Sequence, residues 1–142
     1  MEKYKIEQDI KLFYVQAASF PLDVGGAFTK LNDLIGHNKT RPLYGISFPG
    51  GTGSLVYRAA VEETFPGEAE KAGCPTFVVR KGDYISAFLP DWKKDESIIG
   101  RTFQELLRDP RIDKQGYCLE LYPNEKDVRC LVPLAKGSED IS

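Results

Sequence analysis

The 142-residue chain has few of the residues that build metal centres, disulfide frameworks and membrane spans. It contains one histidine and three cysteines, and the cysteines show no C-x-x-C spacing. A metal site needs several nitrogen or sulfur ligands, so we expect no metal and no cofactor. The apolar runs fall well short of the roughly 20 residues that span a bilayer, and the N-terminus lacks the apolar core of a signal peptide. These absences predict a cytoplasmic protein without a membrane partner.

Neither sign of charge dominates the sequence. There are 19 Lys and Arg against 21 Asp and Glu, for a net charge of -2. Direct nucleic-acid binding is therefore not expected, because it draws on a surplus of basic side chains. Hydrophobic residues make up 42% of the chain, which is typical of a globular protein with its own core. The length predicts a single domain over residues 1–142.

Two segments have the apolar spacing of amphipathic helices that each cover a sheet. The apolar stripe of the first consists of Val24, Ala27, Phe28, Leu31, Leu34 and Ile35. That of the second consists of Ile98, Ile99, Thr102, Phe103, Leu106 and Leu107.

The other ordered segments are predicted to be strands, at residues 5–19, 43–48, 55–61, 76–80, 84–89, 117–122 and 128–133. A glycine-rich stretch at residues 50–53 predicts a hairpin loop, since it lacks the Gly-Lys-Ser/Thr of a phosphate loop. The order strand, helix, strand, strand occurs twice, in pseudo-repeats of about 5–62 and 75–134. We therefore predict an α+β fold with one antiparallel sheet, two long helices on one face and a ligand groove on the other.

Glu120 is the one residue that conflicts with its surroundings, because it lies in the otherwise apolar strand YCLELY at 117–122. Alternation places Leu119 and Leu121 on one face, expected under the helices, and Cys118, Glu120 and Tyr122 on the other. If the second face is solvated, Glu120 is a surface carboxylate. If it forms the floor of the groove, the buried carboxylate needs a partner or a function.

Aromatic residues recur around the expected groove. Tyr44 and Phe48 share one face of their strand, Tyr57 and Tyr84 lie on other strands, and Trp92 lies in the loop before the second helix. Each of them alone is compatible with core packing. Together with one acidic residue, they indicate a pocket for a flat, hydrophobic or cationic molecule.

These features resemble the GyrI-like small-molecule-binding domain, which is related to the effector-binding domains of AraC-type and MerR-type multidrug regulators. The similarity extends over residues 5–134 and is carried by YGI (44–46), YRAAV (57–61), KGDY (81–84), FQEL (103–106), LELY (119–122) and LVPL (131–134). The resemblance implies two strand–helix–strand–strand modules related by a pseudo-twofold axis. The 142 residues leave no room for the DNA-binding domain of the regulators, so the chain is expected to resemble the stand-alone members.

The resemblance also implies a central pocket in which an acidic residue, here Glu120, faces hydrophobic ligands. Among the pocket aromatics, Tyr84 matches best, Tyr44 and Tyr57 follow, and Trp92 corresponds by location. Tyr122 and Phe48 complete the predicted ligand-binding set.

Three functions follow from this prediction. The leading one is a stand-alone, non-enzymatic binding protein for hydrophobic or cationic small molecules, with a regulatory or protective role. The second is a hydrolase of cyclopropane-bearing electrophilic natural products, in which Glu120 and Tyr84 are catalytic. The third is an interaction module that inhibits a larger partner such as a DNA topoisomerase. A homodimer is compatible with each of them.

Overall fold

The computed structural model describes residues 1–37, 40–51 and 53–136. Its strands are β1 (Glu2–Ile6), β2 (Ile10–Gln16), β3 (Leu43–Pro49), β4 (Leu55–Glu62), β5 (Thr76–Val79), β6 (Gly82–Leu89), β7 (Cys118–Tyr122) and β8 (Val128–Pro133). The helices are α1 (Val24–Leu34), the short α2 (Glu68–Ala72) and α3 (Ser97–Leu106), with one 3-10 turn at Trp92–Lys94. The predicted 50–53 loop joins β3 to β4, although its Thr52 lies outside the described residues. None of the helices in these ranges has the length and apolar character needed to cross a membrane.

All eight strands form one antiparallel sheet in the order β1-β6-β8-β7-β3-β4-β2-β5. From the central β3–β7 pair outward, the first module runs β3-β4-β2-β5 and the second runs β7-β8-β6-β1. The predicted duplication of a strand–helix–strand–strand unit is thus confirmed. The strand registers show the same duplication. Gly45 on β3 pairs with Ala59 on β4, and Glu120, which has the equivalent position on β7, pairs with Cys130 on β8.

The N-terminal segment is two strands, and the prediction of one strand over residues 5–19 is wrong. The chain breaks at the polar residues 7–9, where the carboxylate of Asp9 accepts a hydrogen bond from the backbone N–H of Lys81 at 2.8 Å. The two strands then pair at opposite ends of the sheet, β1 with β6 and β2 with β4 and β5. As a result, β1 occupies in the second module the place that β5 occupies in the first.

Both long helices cover the same face of the sheet, as predicted. Helix α1 packs its Ala27 and Leu31 on Phe13 and Val61, and α3 packs its own apolar stripe on a second cluster. That second cluster contains Ile85, Phe103, Leu106, Ile112, Cys130 and Val132. We call the side of the sheet that both helices cover the helix face.

The opposite face is filled by the sheet's own side chains, because the sheet curls around an inner core to which all eight strands contribute. Tyr84 from β6 and Tyr117 approach each other to 2.6 Å between their hydroxyl oxygens, and Phe77 from β5 lies edge-on to Tyr117 at 5.1 Å. Leu119 packs in this inner core with Leu121 against it. The prediction that these two leucines lie under the helices is therefore wrong, and so is the placement of the groove on the side without helices.

Candidate functional site

The candidate site centres on Glu120 in the middle of β7, on the helix face. Glu120 is buried, with only 7% of its surface exposed. One carboxylate oxygen, Oε1, accepts hydrogen bonds from the hydroxyl of Tyr57 at 2.8 Å and from the hydroxyl of Tyr122 at 2.5 Å. Tyr57 comes from β4 in the first module and Tyr122 from the end of β7. The carboxyl group is thus held by donors from both sides of the module junction.

A glycine makes room for this cluster. Gly45 on β3 is the direct cross-strand partner of Glu120. A Cβ atom at position 45 would collide with the Tyr57 hydroxyl and would stand 2.6 Å from Glu120 Oε1. A residue with any side chain at this point would therefore displace the carboxylate or the phenol that donates to it.

Aromatic rings surround the two tyrosines. Phe28 of α1 lies edge-on to Tyr57 at 6.1 Å and to Tyr122 at 5.9 Å. Trp92 packs against Tyr122 at 5.8 Å, and Phe20 stacks on Tyr57 at 5.8 Å. Edge-to-face and offset arrangements at these distances are favourable. The carboxylate therefore lies behind an aromatic layer drawn from both modules.

A recess of about 650 Å³ opens on the outer side of this layer. It lies between the N-terminal half of α1 and the loop that carries Trp92. Its apolar walls are Val24, Phe28, Leu43, Trp92, Tyr122 and Pro123, and its rim carries Asn32, His37, Arg41, Lys93, Glu96, Asn124 and Glu125. Tyr122 lines the recess and also donates to Glu120, so it connects the two.

Two buried donors next to the recess have no hydrogen-bond partner within the described ranges, the indole Nε1 of Trp92 and the Nε of Arg41. The guanidinium of Arg41 is otherwise occupied, since it makes a bidentate pair with Glu68 at 2.7 and 3.0 Å. A buried donor without an acceptor carries a desolvation cost. An acceptor on a bound molecule would remove that cost at Trp92.

Burial determines the protonation chemistry of the site. Desolvation raises the pKa of Glu120, although the hydrogen bonds from Tyr122 and Tyr57 act in the opposite direction. Desolvation, followed by the nearby Glu120 charge, raises the pKa of Tyr57 and Tyr122 far above the ordinary value of 10.0. The phenols therefore stay protonated and donate. Glu120 is the one member of this cluster that can ionise while both phenols remain protonated.

The structure brings together four of the seven predicted ligand-binding residues, namely Glu120, Tyr57, Tyr122 and Trp92. Tyr44, Phe48 and Tyr84 lie on the opposite side of the sheet, in or against the inner core. The hydroxyl of Tyr84 bonds to Tyr117 and to the carbonyl of Arg80 at 2.7 Å. The sheet therefore separates Tyr84 from Glu120, although the hydrolase hypothesis requires the two residues to act together.

Sequence reasoning missed two residues that shape the site. Phe28 fitted the apolar stripe of α1, and nothing in that stripe indicated that its ring packs on the two tyrosines that hold Glu120. Gly45 carried a usable signal, since a glycine inside a strand often marks the close approach of another group. No three His, Cys, Asp or Glu side chains converge as metal ligands anywhere in the described ranges.

No protein-family model and no curated protein matches the chain. Solved structures do match it in fold. SAV2435 bound to tetraphenylphosphonium has a TM-score of 0.72 at 11% identity, with 95% of this chain and 93% of that chain covered. The integron cassette protein VCH_CASS2 from the mobile metagenome of Vibrio cholerae has a TM-score of 0.63 at 12% identity, with coverages of 94% and 95%. A hydrolase from Listeria innocua has a TM-score of 0.56 at 9% identity, with coverages of 94% and 92%. The chain thus has the fold of a protein that binds a small cationic molecule.

Proposed function

We propose that this protein binds hydrophobic cations in the recess beside Trp92 and Tyr122, with Glu120 supplying the negative charge. The observation that carries the proposal is the carboxyl group of Glu120, which is buried behind aromatic rings and has no basic partner among its hydrogen bonds. A buried carboxylate without a cation is costly. A ligand that brings a positive charge would offset that cost.

The recess has the surfaces that such a ligand needs. The faces of Trp92 and Tyr122 attract a cation through the ring quadrupole, and Phe28 and Leu43 contact its apolar groups. The Tyr122 ring lies between this surface and Glu120. A bound cation would therefore interact with the carboxylate through the ring, or directly if Tyr122 moves aside. The two tyrosine hydroxyls keep the carboxylate oriented without neutralising it.

The comparison with SAV2435 supports this proposal, since that protein has the same fold and was solved bound to tetraphenylphosphonium. The resemblance to GyrI-like domains also supports it, because the acidic pocket residue of those domains corresponds to Glu120 in that resemblance. The same resemblance suggests a role in multidrug response, either regulatory or protective. That role rests on ligand binding and is testable only after binding is measured.

The direct test compares one cationic and one neutral ligand on Glu120→Gln. We expect the variant to weaken tetraphenylphosphonium binding by about 2–5 kcal/mol, because a buried charge pair loses one partner. Binding of the neutral triphenylphosphine oxide should change by no more than about 0.5–1.5 kcal/mol, the value of a hydrogen bond. Isothermal titration calorimetry gives both affinities.

Glu96→Gln is the matched control, because Glu96 lies on the rim of the same recess and its substitution removes the same charge. It should weaken the cation by less than about 1 kcal/mol, as expected for an exposed charge. Equal losses for the cationic and neutral ligands in Glu120→Gln would contradict the proposed role of Glu120. The absence of tetraphenylphosphonium binding to the wild-type protein would contradict the proposed function.

A hydrolase that opens electrophilic rings is the second candidate, favoured by the two phenols that donate to one titratable carboxyl. In this structure the hydroxyl that stabilises the developing charge beside Glu120 would be that of Tyr57 or Tyr122, because Tyr84 lies on the other side of the sheet. Product formation from a cyclopropane-bearing alkylating agent, followed by mass spectrometry, tests it. General acid–base assistance is worth about 10²–10⁴-fold, so Glu120→Gln should remove most of any turnover.

A further inference from the structure

Two arginines occupy equivalent positions in the two modules, on the side of the sheet away from the helices. Arg58 on β4 is paired with Gln16 and Ile46, and Arg129 on β8 is paired with Phe88 and Leu121. The register that matches Gly45 with Glu120 also matches these two arginines. The pseudo-twofold axis therefore relates them.

Each guanidinium is held against aromatic rings. Arg58 lies 4.3 Å from the ring centre of Tyr14, 4.8 Å from that of Phe48 and 6.0 Å from that of Phe77. Arg129 lies 4.7 Å from Tyr4 and 5.3 Å from Phe88. A guanidinium stacked in this way is fixed in orientation, and its edge remains available for hydrogen bonds.

The two sites differ in what that edge binds. Nη1 of Arg129 donates to the Glu2 carboxylate at 2.7 Å and to the Ser86 hydroxyl at 3.1 Å. The hydrogen bond from Arg129 lowers the pKa of Glu2. The second module therefore contains a complete arginine–carboxylate pair, in which strand β1 supplies the carboxylate.

The first module lacks the carboxylate. Glu2 on β1 pairs with Ser86 on β6, and the corresponding position beside Tyr14 on β2 is Pro75, whose carbonyl accepts the Tyr14 N–H at 3.1 Å. Arg58 donates its Nε to Gln16 at 3.2 Å. Among the residues that the structure describes, no carboxylate lies within ion-pair distance of Arg58, and its two Nη groups have no protein acceptor.

We propose that Arg58, with Tyr14, Phe48 and Phe77, forms a binding site for a carboxylate supplied from outside the chain. The carboxylate would occupy, at the edge of the Arg58 guanidinium, the place that Glu2 occupies at Arg129. A planar two-oxygen anion suits the arginine fork better than a spherical ion does. The exposed side chain of Pro75 lies at the Glu2-equivalent position and would contact the apolar part of such a molecule.

The site is separate from the cation recess, because the sheet lies between them. Arg58 and Phe48 are on the face of β4 and β3 opposite to Tyr57 and Gly45. The proposal therefore does not depend on the proposed function, and a failure of one leaves the other unaffected.

The experiment is a titration of the full chain with benzoate at constant ionic strength, followed by ¹H–¹⁵N NMR with the arginine Nε–H signals included. We expect saturable shifts of Arg58, Gln16 and Phe77, and none with the neutral analogue benzamide. Arg58→Gln should weaken benzoate binding about tenfold or more, the loss expected for a charge-assisted hydrogen bond. The benzoate affinity of Arg58→Lys should lie between those of the wild-type protein and Arg58→Gln, because lysine keeps the positive charge but cannot donate two parallel hydrogen bonds.

Two further variants use the internal symmetry. Glu2→Gln should free Arg129 and create a second benzoate site with shifts at Tyr4 and Phe88. Pro75→Glu should place a carboxylate at the Glu2-equivalent position and suppress benzoate binding at Arg58, without any change to the arginine itself. Glu120→Gln should leave benzoate binding unchanged.

A dilution series of the protein alone identifies the source of the carboxylate. Concentration-dependent shifts at Arg58 that Arg58→Gln removes would assign it to a second copy of the chain. Benzoate-dependent shifts without self-association would assign it to a free carboxylic acid. Unchanged Arg58 signals in both series, or equal benzoate affinity in the wild-type protein and Arg58→Gln, would overturn the proposal.

Discussion

At the scale of single residues, the raised pKa of Glu120 couples folding to pH. The folded protein retains a proton on this carboxyl at pH values where the unfolded chain, with an ordinary pKa of 4.5, has released it. The folded state thus binds more protons in this window, so the stability contributed by the protonated group falls as pH rises above 4.5. The loss is complete once pH has passed the pKa of the folded state.

Glu120→Gln should remove this pH dependence, because glutamine does not titrate. We expect the unfolding free energy of the wild-type protein, relative to the variant, to fall with a slope of up to about 1.4 kcal/mol per pH unit in that window. Urea denaturation of both proteins at a series of pH values from about 4 to about 9, the range over which buried glutamates titrate, measures this slope. Parallel curves would show that Glu120 has an ordinary pKa in the folded state.

The same carboxyl predicts how ligand affinity varies with pH. A cation prefers the ionised form of Glu120, so at pH values below the raised pKa its binding must release a proton. Affinity for tetraphenylphosphonium should therefore rise with pH and level off above that pKa, whereas the affinity of triphenylphosphine oxide should not follow this curve. Calorimetry in two buffers of different ionisation enthalpy measures the proton release, and its absence would contradict a role for the ionised carboxylate.

Gly45 should tolerate no side chain while Tyr57 keeps its hydroxyl. Gly45→Ala places a Cβ against that hydroxyl and Glu120 Oε1, and overpacking of this kind costs about 1–3 kcal/mol. In a Tyr57→Phe background the cost should be smaller, with a coupling of about 0.5–3 kcal/mol, because the nearest atom has been removed. Chemical denaturation of the four proteins in this cycle gives the coupling.

Gly100→Ala in α3 is the matched control, since no atom lies within 4 Å of an added Cβ there. Alanine is the better helix former, so this variant should be as stable as the wild type or more stable by up to about 1 kcal/mol. Additive costs in the Gly45 and Tyr57 cycle would contradict the proposed contact.

At the scale of elements, helix α2 depends on one ion pair. Five residues are too few for a stable isolated helix. Glu68 at its start accepts both hydrogen bonds from Arg41 and also bonds to the backbone N–H of Thr64 at 2.9 Å. These contacts, led by the bond from Arg41, lower the pKa of Glu68. Their contribution is present above the ordinary pKa of 4.5 and is lost as pH falls through the lowered one.

Glu68→Gln should therefore loosen α2 selectively. We expect faster hydrogen exchange of the amides at residues 68–73 and a loss of about 1.5–3 kcal/mol in stability, the value of hydrogen bonds to charged groups. Glu70→Gln, at an exposed position in the same helix, should change neither quantity measurably. Equal exchange rates in both variants, measured by mass spectrometry, would show that the Arg41–Glu68 pair does not hold the helix.

At the scale of the whole molecule, the two modules are bound into one folding unit. They share the β3–β7 pairing, and β1 from the start of the chain completes the second module. Unfolding should therefore be a single transition, with equal calorimetric and van't Hoff enthalpies. Leu31→Ala under α1 and Leu106→Ala under α3 remove fully buried side chains from different modules.

Both substitutions should lower the same transition, each by about 2–5 kcal/mol. Independent modules would give a different result, since each variant would then shift one of two transitions and leave the other in place. Differential scanning calorimetry distinguishes the two cases.

Much of this architecture was predictable because it depends on local periodicity. The apolar stripes of α1 and α3, the order of strands and helices and the repeat of that order all follow from spacings within a few turns of chain. The conflict between Glu120 and its apolar neighbours was also visible, because a carboxylate inside a buried strand is rare in any fold. Of the aromatic residues predicted around it, Tyr57 donates a hydrogen bond to this carboxylate and Trp92 packs on Tyr122.

The face of each strand was decided only by the tertiary structure. Alternation separates Glu120 and Tyr122 from Leu119 and Leu121, but it does not say which pair lies under the helices. In a half-buried sheet the apolar pair would face the core and settle the question. Here the sheet curls around an inner core and carries the helices on its other side, so both faces are buried and apolar residues are needed on both. That curvature placed Tyr84 and Tyr44 on the side opposite to the site, and it placed Glu120 beneath the helices.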